Sequence, residues 1–110
     1  MSADEIAKVE RALARTSAEI DAMSERWARE GMSCCPSCAF GPYYSSLCDK
    51  SERQAAWLVV LLRRRRGPDD ERRIRFLTTE YSEATKMVRH LDELAQRKET
   101  SKANAPQAGQ

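Results

Sequence analysis

The sequence predicts an all-α fold, an antiparallel three-helix bundle, and three observations carry that expectation. Apolar residues recur in alternating steps of three and four near both ends of the chain. The two patterned stretches flank a shorter run that is apolar on every side. Only four glycines and four prolines interrupt 110 residues. Steps of three and four line up along one face of a helix, whereas a strand would alternate in twos. With 41% hydrophobic and 33% charged residues, the chain has enough apolar material for a modest core and resembles neither a disordered chain nor a sheet protein. Its length fits one domain of limited stability.

The first helix is expected from about Ala3 to Glu30. Ile6, Val9, Leu13, Thr16, Ile20, Met23 and Trp27 form its seam, Asp4 and Glu5 suit its positive end, and Gly31 suits its exit. A second helix is expected from Ser51 as N-cap, through the run Ala55 to Leu62, to Arg66, where Gly67 and Pro68 stop it. Being apolar all round, it should be the most buried of the three. From Asp69 or Asp70, Ile74, Leu77, Tyr81, Ala84, Val88, Leu91 and Ala95 repeat the seam, widened by Met87 and Leu94. That pattern predicts one continuous third helix to about Lys98. Residues 1–98 thus read as a single helical domain with a cysteine-rich loop at 32–49, and 99–110, polar and carrying Pro106, as a disordered tail.

Net charge is only +2, but Met1 to Met32 carries seven acids against five bases, and Ser51 to Lys98 eight acids against twelve bases. The longest apolar run falls far short of the roughly 20 residues that span a bilayer, so no membrane partner is expected. The acidic start lacks the layout of a secretory signal. A reducing, cytoplasmic home is the expectation, with an oxidising one as the alternative, and in a reducing compartment clustered thiols are more often metal ligands or redox groups than permanent disulfides.

Four cysteines fall within fifteen residues: Cys34, Cys35, Cys38 and Cys48. The turn Cys35-Pro36-Ser37-Cys38 lets two sulfurs face one point, with proline stiffening the turn, and Cys48 lies far enough on to fold back as a third ligand. Zinc is the favoured ion for a sulfur-rich tetrahedral site without redox duty. An iron–sulfur cluster would use the same thiols, but the spacing matches no ferredoxin run. The fourth ligand is open between Cys34, which adjoins Cys35, and His90, which a continuous third helix would carry back level with the cysteine loop. A second chain is a further source: two Cys-x-x-Cys turns, one per copy, can share a single zinc.

Arg63, Arg64, Arg65 and Arg66 close the second helix, and Arg72, Arg73 and Arg75 open the third. Seven guanidinium groups should therefore gather at the end opposite the cysteines, where they could grip a phosphate backbone. Four arginines at a helix's negative end also have an ordinary structural explanation. Catalysis is not expected: glycine-rich phosphate loops and serine elbows are absent, and no strand-helix-strand pattern surrounds the Cys-x-x-Cys turn. The expected function is a non-enzymatic, zinc-stabilised module for protein–protein contact. Phe40, Tyr43 and Tyr44 are candidate anchors, and self-association into a homo-oligomer is the simplest version. The alternatives are a nucleic-acid-binding regulator using the arginines and a thiol redox or metal-handling protein.

Overall fold

The computed structural model describes residues 3–104. Five helices follow one another: α1 (Ala3–Arg29), α2 (Pro36–Phe40), α3 (Pro42–Arg65), α4 (Asp70–Glu80) and α5 (Ser82–Asn104). No strand occurs among the described residues. The all-α expectation holds, while the arrangement differs from three antiparallel rods. α3 is the central element and touches each of the other four helices.

α1 begins and ends where its seam and its acidic first turn indicate. α3 starts nine residues earlier than expected, at Pro42, because proline at the first helical position gives up only an amide that would be unbonded anyway. Ser51 is therefore not a cap. It is a buried interior residue whose hydroxyl donates to the Cys48 carbonyl at 2.8 Å. Leu47, Ser51, Ala55, Leu58, Val59, Leu61 and Leu62 bury the inner faces of α3, but Trp57 stays 40% exposed, so the helix is not enclosed on every side.

The expected third helix is two. Tyr81 adopts an extended conformation (φ −129°, ψ 123°) and separates α4 from α5. The hydroxyls of Thr78 and Thr79 both donate to the Arg75 carbonyl at 2.9 Å, and Thr85 Oγ1 reaches back to the Thr78 carbonyl at 2.8 Å. Side-chain hydroxyls thus add to the bonding of carbonyls near the end of α4, and Thr85 meets one in its final turn. The start of α5 is capped from another helix: Glu52 Oε1 on α3 accepts the Glu83 backbone N–H at 2.9 Å, a carboxylate against a helix's positive end.

This break reverses the chain. Glu52 meets Glu83 and, eleven residues on, Arg63 meets Asp92 at 2.6 Å, so α5 runs parallel to α3. α1 and α4 run the other way on either side of a groove, without close backbone approach, bridged by the Glu10–Arg73 ion pair and by the hydroxyls of Ser17 and of Tyr81, just after α4, 3.0 Å apart. The core where these helices meet holds Ile6, Leu13, Leu58, Val59, Leu62, Ile74, Leu77 and Ala84. Each large aliphatic side chain so enclosed contributes roughly 1.5–3 kcal/mol. Past Leu91 every described side chain of α5 is exposed, and the helix continues beyond the expected limit at Lys98. That overhang contributes to an elongated shape of 71 × 28 × 20 Å. Of the expected tail, 105–110 lie outside the described residues.

Candidate functional site

The chemistry-bearing residues sit at two poles. At the first, Gly31 turns the chain out of α1 with φ +62°, and the Trp27 indole N–H donates to the Cys34 carbonyl, fixing the loop against the helix. Cys35 then caps α2, with Pro36 at its first position, so that Cys38 lies one helical turn on. This spacing brings the two sulfurs to 3.2 Å, and both residues are exposed. The hydrogen bond with Cys38 lowers the Cys35 thiol below its ordinary value, helped by the Cys38 backbone amide. The same side-chain bond, with the charge it places on Cys35, raises the Cys38 thiol. The shared bond therefore makes Cys35 the more readily ionised sulfur of the pair.

The other candidate ligands do not complete this pair. Cys34 is exposed, and Cys48 is half-buried on α3, along the groove between α1 and α4. His90 lies at the opposite pole. The break at Tyr81 sends α5 away from the cysteines, and His90, exposed and two residues before the Asp92 that meets Arg63, sits about 20 Å along α3 from Cys48. Among the described residues, no group of three or more His, Cys, Asp or Glu side chains is placed to hold one metal ion.

Phe40, Tyr43 and Tyr44 follow the Cys35 and Cys38 thiols in the chain and fasten α2 and α3 to the C-terminal half of α1. Tyr43 donates to Glu19 Oε2 at 2.7 Å, a bond that raises the phenol above its ordinary value. Tyr44 and Ser24 hydroxyls are 3.2 Å apart, and Arg26 lies over the Phe40 ring at 5.7 Å. Tyr43 is the member open to a partner, at 58% exposure.

At the second pole most of the arginines already have partners. Arg65 donates to both oxygens of buried Asp70, whose Oδ2 also accepts the Gly67 N–H at 2.7 Å. Arg65 holds the Asp70 carboxyl below the ordinary range, although burial opposes the shift. A side chain at Gly67 would come within 2.9 Å of that carboxylate, so glycine there allows the close approach. Arg63 pairs with Asp92, Arg72 with Asp69, and Arg73 with Glu10 and Asp70. Arg64 lies over Trp57 at 5.5 Å, and Arg66 ends α3 in the left-handed conformation. Arg64, Arg66 and Arg75 make no ion pair among the described residues.

Between the poles runs an open groove of about 750 Å³, walled by Leu13 and Ile20 of α1 and by Phe76 and Leu77 of α4, with Leu58 of α3 at its floor. Sequence patterning did not single out Phe76. It lies off the Ile74, Leu77 and Tyr81 seam, and an aromatic on the otherwise polar face of α4 was the available signal. Among the described residues no helix is long and apolar enough to cross a membrane. No protein-family model, no curated protein and no solved structure matches the chain.

Proposed function

We propose that the protein is a non-enzymatic protein-interaction module in which Cys35 and Cys38 form half of a zinc site, completed by ligands from a partner chain. The observation that carries this reading is the exposed dithiol, with sulfurs 3.2 Å apart and no third ligand from its own chain among the described residues. Two thiolates on one tetrahedral zinc, each at about 2.3 Å, sit roughly 3.8 Å apart. The pair fits after opening by about half an ångström, which a rotation of either side chain supplies. The Cys35 sulfur is already biased toward the ionised form that zinc requires. Tyr43, shortly after the dithiol in the chain and 58% exposed, offers an aromatic contact to the chain that brings the remaining ligands.

Cobalt titration tests this reading, because sulfur-rich tetrahedral cobalt has an intense visible spectrum. With two copies supplying four thiolates, the expected result is one metal per two chains. Cys35→Ser or Cys38→Ser should abolish the signal, and His90→Ala or Cys48→Ser should leave it unchanged. One metal per chain with Cys34 and Cys48 both required would overturn the shared site in favour of one closed within the chain. An absence of binding, with rapid reversible Cys35–Cys38 disulfide formation, would move the function to thiol redox chemistry.

A further inference from the structure

The wall that α4 lends to the groove carries Arg72, Phe76 and Glu80, each four residues from the next and so in one row. All three are exposed, Phe76 by 63%, which is unusual for a ring beside an apolar wall. Along the row the order is positive, aromatic, negative. Such a row complements its own reverse. A twofold axis through Phe76 lays two copies of α4 antiparallel, brings the rings together, and sets each Arg72 against Glu80 of the other copy.

We propose that the groove between α1 and α4 is the docking site for a second copy of this chain, in a twofold arrangement centred on Phe76. Charge along the row selects this occupant. Arg72 is held only by Asp69 at 3.2 Å, with both side chains more than two-thirds exposed, so it can turn toward a new partner. Glu80 has no ion-pair partner among the described residues. The neighbouring Arg73 is already engaged by Glu10 and Asp70, so among the described residues Arg72, held only by an exposed surface pair, is the groove cation best able to change partner. The other exposed large hydrophobics, Tyr43, Trp57 and Leu94, lie on α3 and α5, so among the described residues the row on α4 is the one that joins an exposed ring to matched charges. The Phe76 ring gains contact with Leu13, Ile20 and Leu77 of the opposite copy, in the manner of the aromatic anchors that dominate interfaces.

This association goes beyond the zinc reading and does not need it. Sedimentation of the full chain across a concentration series, in chelator and with Cys35→Ser and Cys38→Ser present, excludes any metal bridge between dithiols. A reversible dimer is expected there. Phe76→Asp should weaken it roughly 30-fold or more. R72E alone and E80R alone should each weaken it by roughly tenfold, since each sets like charges face to face. The combined R72E/E80R chain should return to within about threefold of the parent, because the twofold axis restores both pairs. A chain that stays monomeric throughout overturns the proposal, as does a Phe76→Asp dimer of parental affinity or a double reversal no tighter than the singles. Loss of metal binding at the dithiol would leave all these outcomes unchanged.

Discussion

The two poles are alike in sequence and opposite in structure. Each gathers several side chains of one reactive type within a short stretch, thiols at one end and guanidinium groups at the other. At the arginine pole four of the seven arginines, Arg63, Arg65, Arg72 and Arg73, are paired within the chain, two of them around a buried carboxylate: Asp70 is 2% exposed, accepts from Arg65 and Gly67, and draws Arg73 to 3.5 Å. At the cysteine pole α2 buries nothing, and the two sulfurs of the Cys-x-x-Cys turn have only each other. Clustering by itself therefore does not mark a site. A cluster whose members lack partners in their own chain has binding capacity left over, and one whose charges are matched internally serves chiefly to hold the fold.

The sharpest contrast is between a core side chain near the arginine pole and the dithiol. Leu62 is fully enclosed in the last turn of α3, and Leu62→Ala should cost about 3 kcal/mol through lost burial and the cavity left behind. Replacing Cys35 and Cys38 together by serine should leave the metal-free unfolding midpoint where it was, because both are exposed and touch little. Urea titrations of the two variants, run in chelator, measure both. A marked loss in the serine chain would mean that the thiols support the fold as well as a partner.

Next in size is Asp70. Asp70→Ala leaves the Gly67 N–H without its acceptor and Arg65 without its anion, and should cost about 2 kcal/mol. Acid acts through the same group. The folded carboxyl titrates below its unfolded value, so its stabilising contribution is complete above about pH 4, the ordinary carboxylate range, and is lost as pH falls through the folded value. Asp70→Asn should flatten that part of the stability profile while leaving the profile at higher pH parallel to the parent. An unchanged acid limb would show that other carboxylates control it.

The same physics explains what the sequence disclosed. The helical class, the seam of α1, the stop after Arg66 and the gathering of arginines around one turn were legible because each depends on neighbours within a few residues. The division at Tyr81 was hidden because Leu77 and Ala84 keep the spacing of one seam while lying on two helices, both buried. Its capping group, Glu52, is thirty-one residues from the amide it accepts. With that division missed, His90 was expected beside the cysteines, and the structure carries it to the arginines. Pro42 was the readable sign that α3 starts early, but it lay inside the stretch 32–49 read as a cysteine-rich loop. The long-range pairing of Arg63 and Arg73 was not readable, since Asp92 and Glu10 reach them only through the tertiary fold.

The smallest effect tests that pairing directly. Arg64 and Arg65 are neighbours in one run and both are exposed, yet only Arg65 engages the buried carboxylate. Replacing Arg64, Arg66 and Arg75 together by glutamine should move the melting temperature by no more than about 2 °C, as expected for exposed side chains without ion pairs. Arg65→Gln alone should lower it further, because Asp70 keeps its burial and loses its cation. The two chains differ in net charge, the triple variant losing three positive charges and the single variant one, so a general electrostatic effect predicts the opposite order. Melting curves at low and high salt separate the explanations: the Arg65 deficit should persist when salt screens the surface, and a deficit that vanished would assign the whole arginine run to solvated charge.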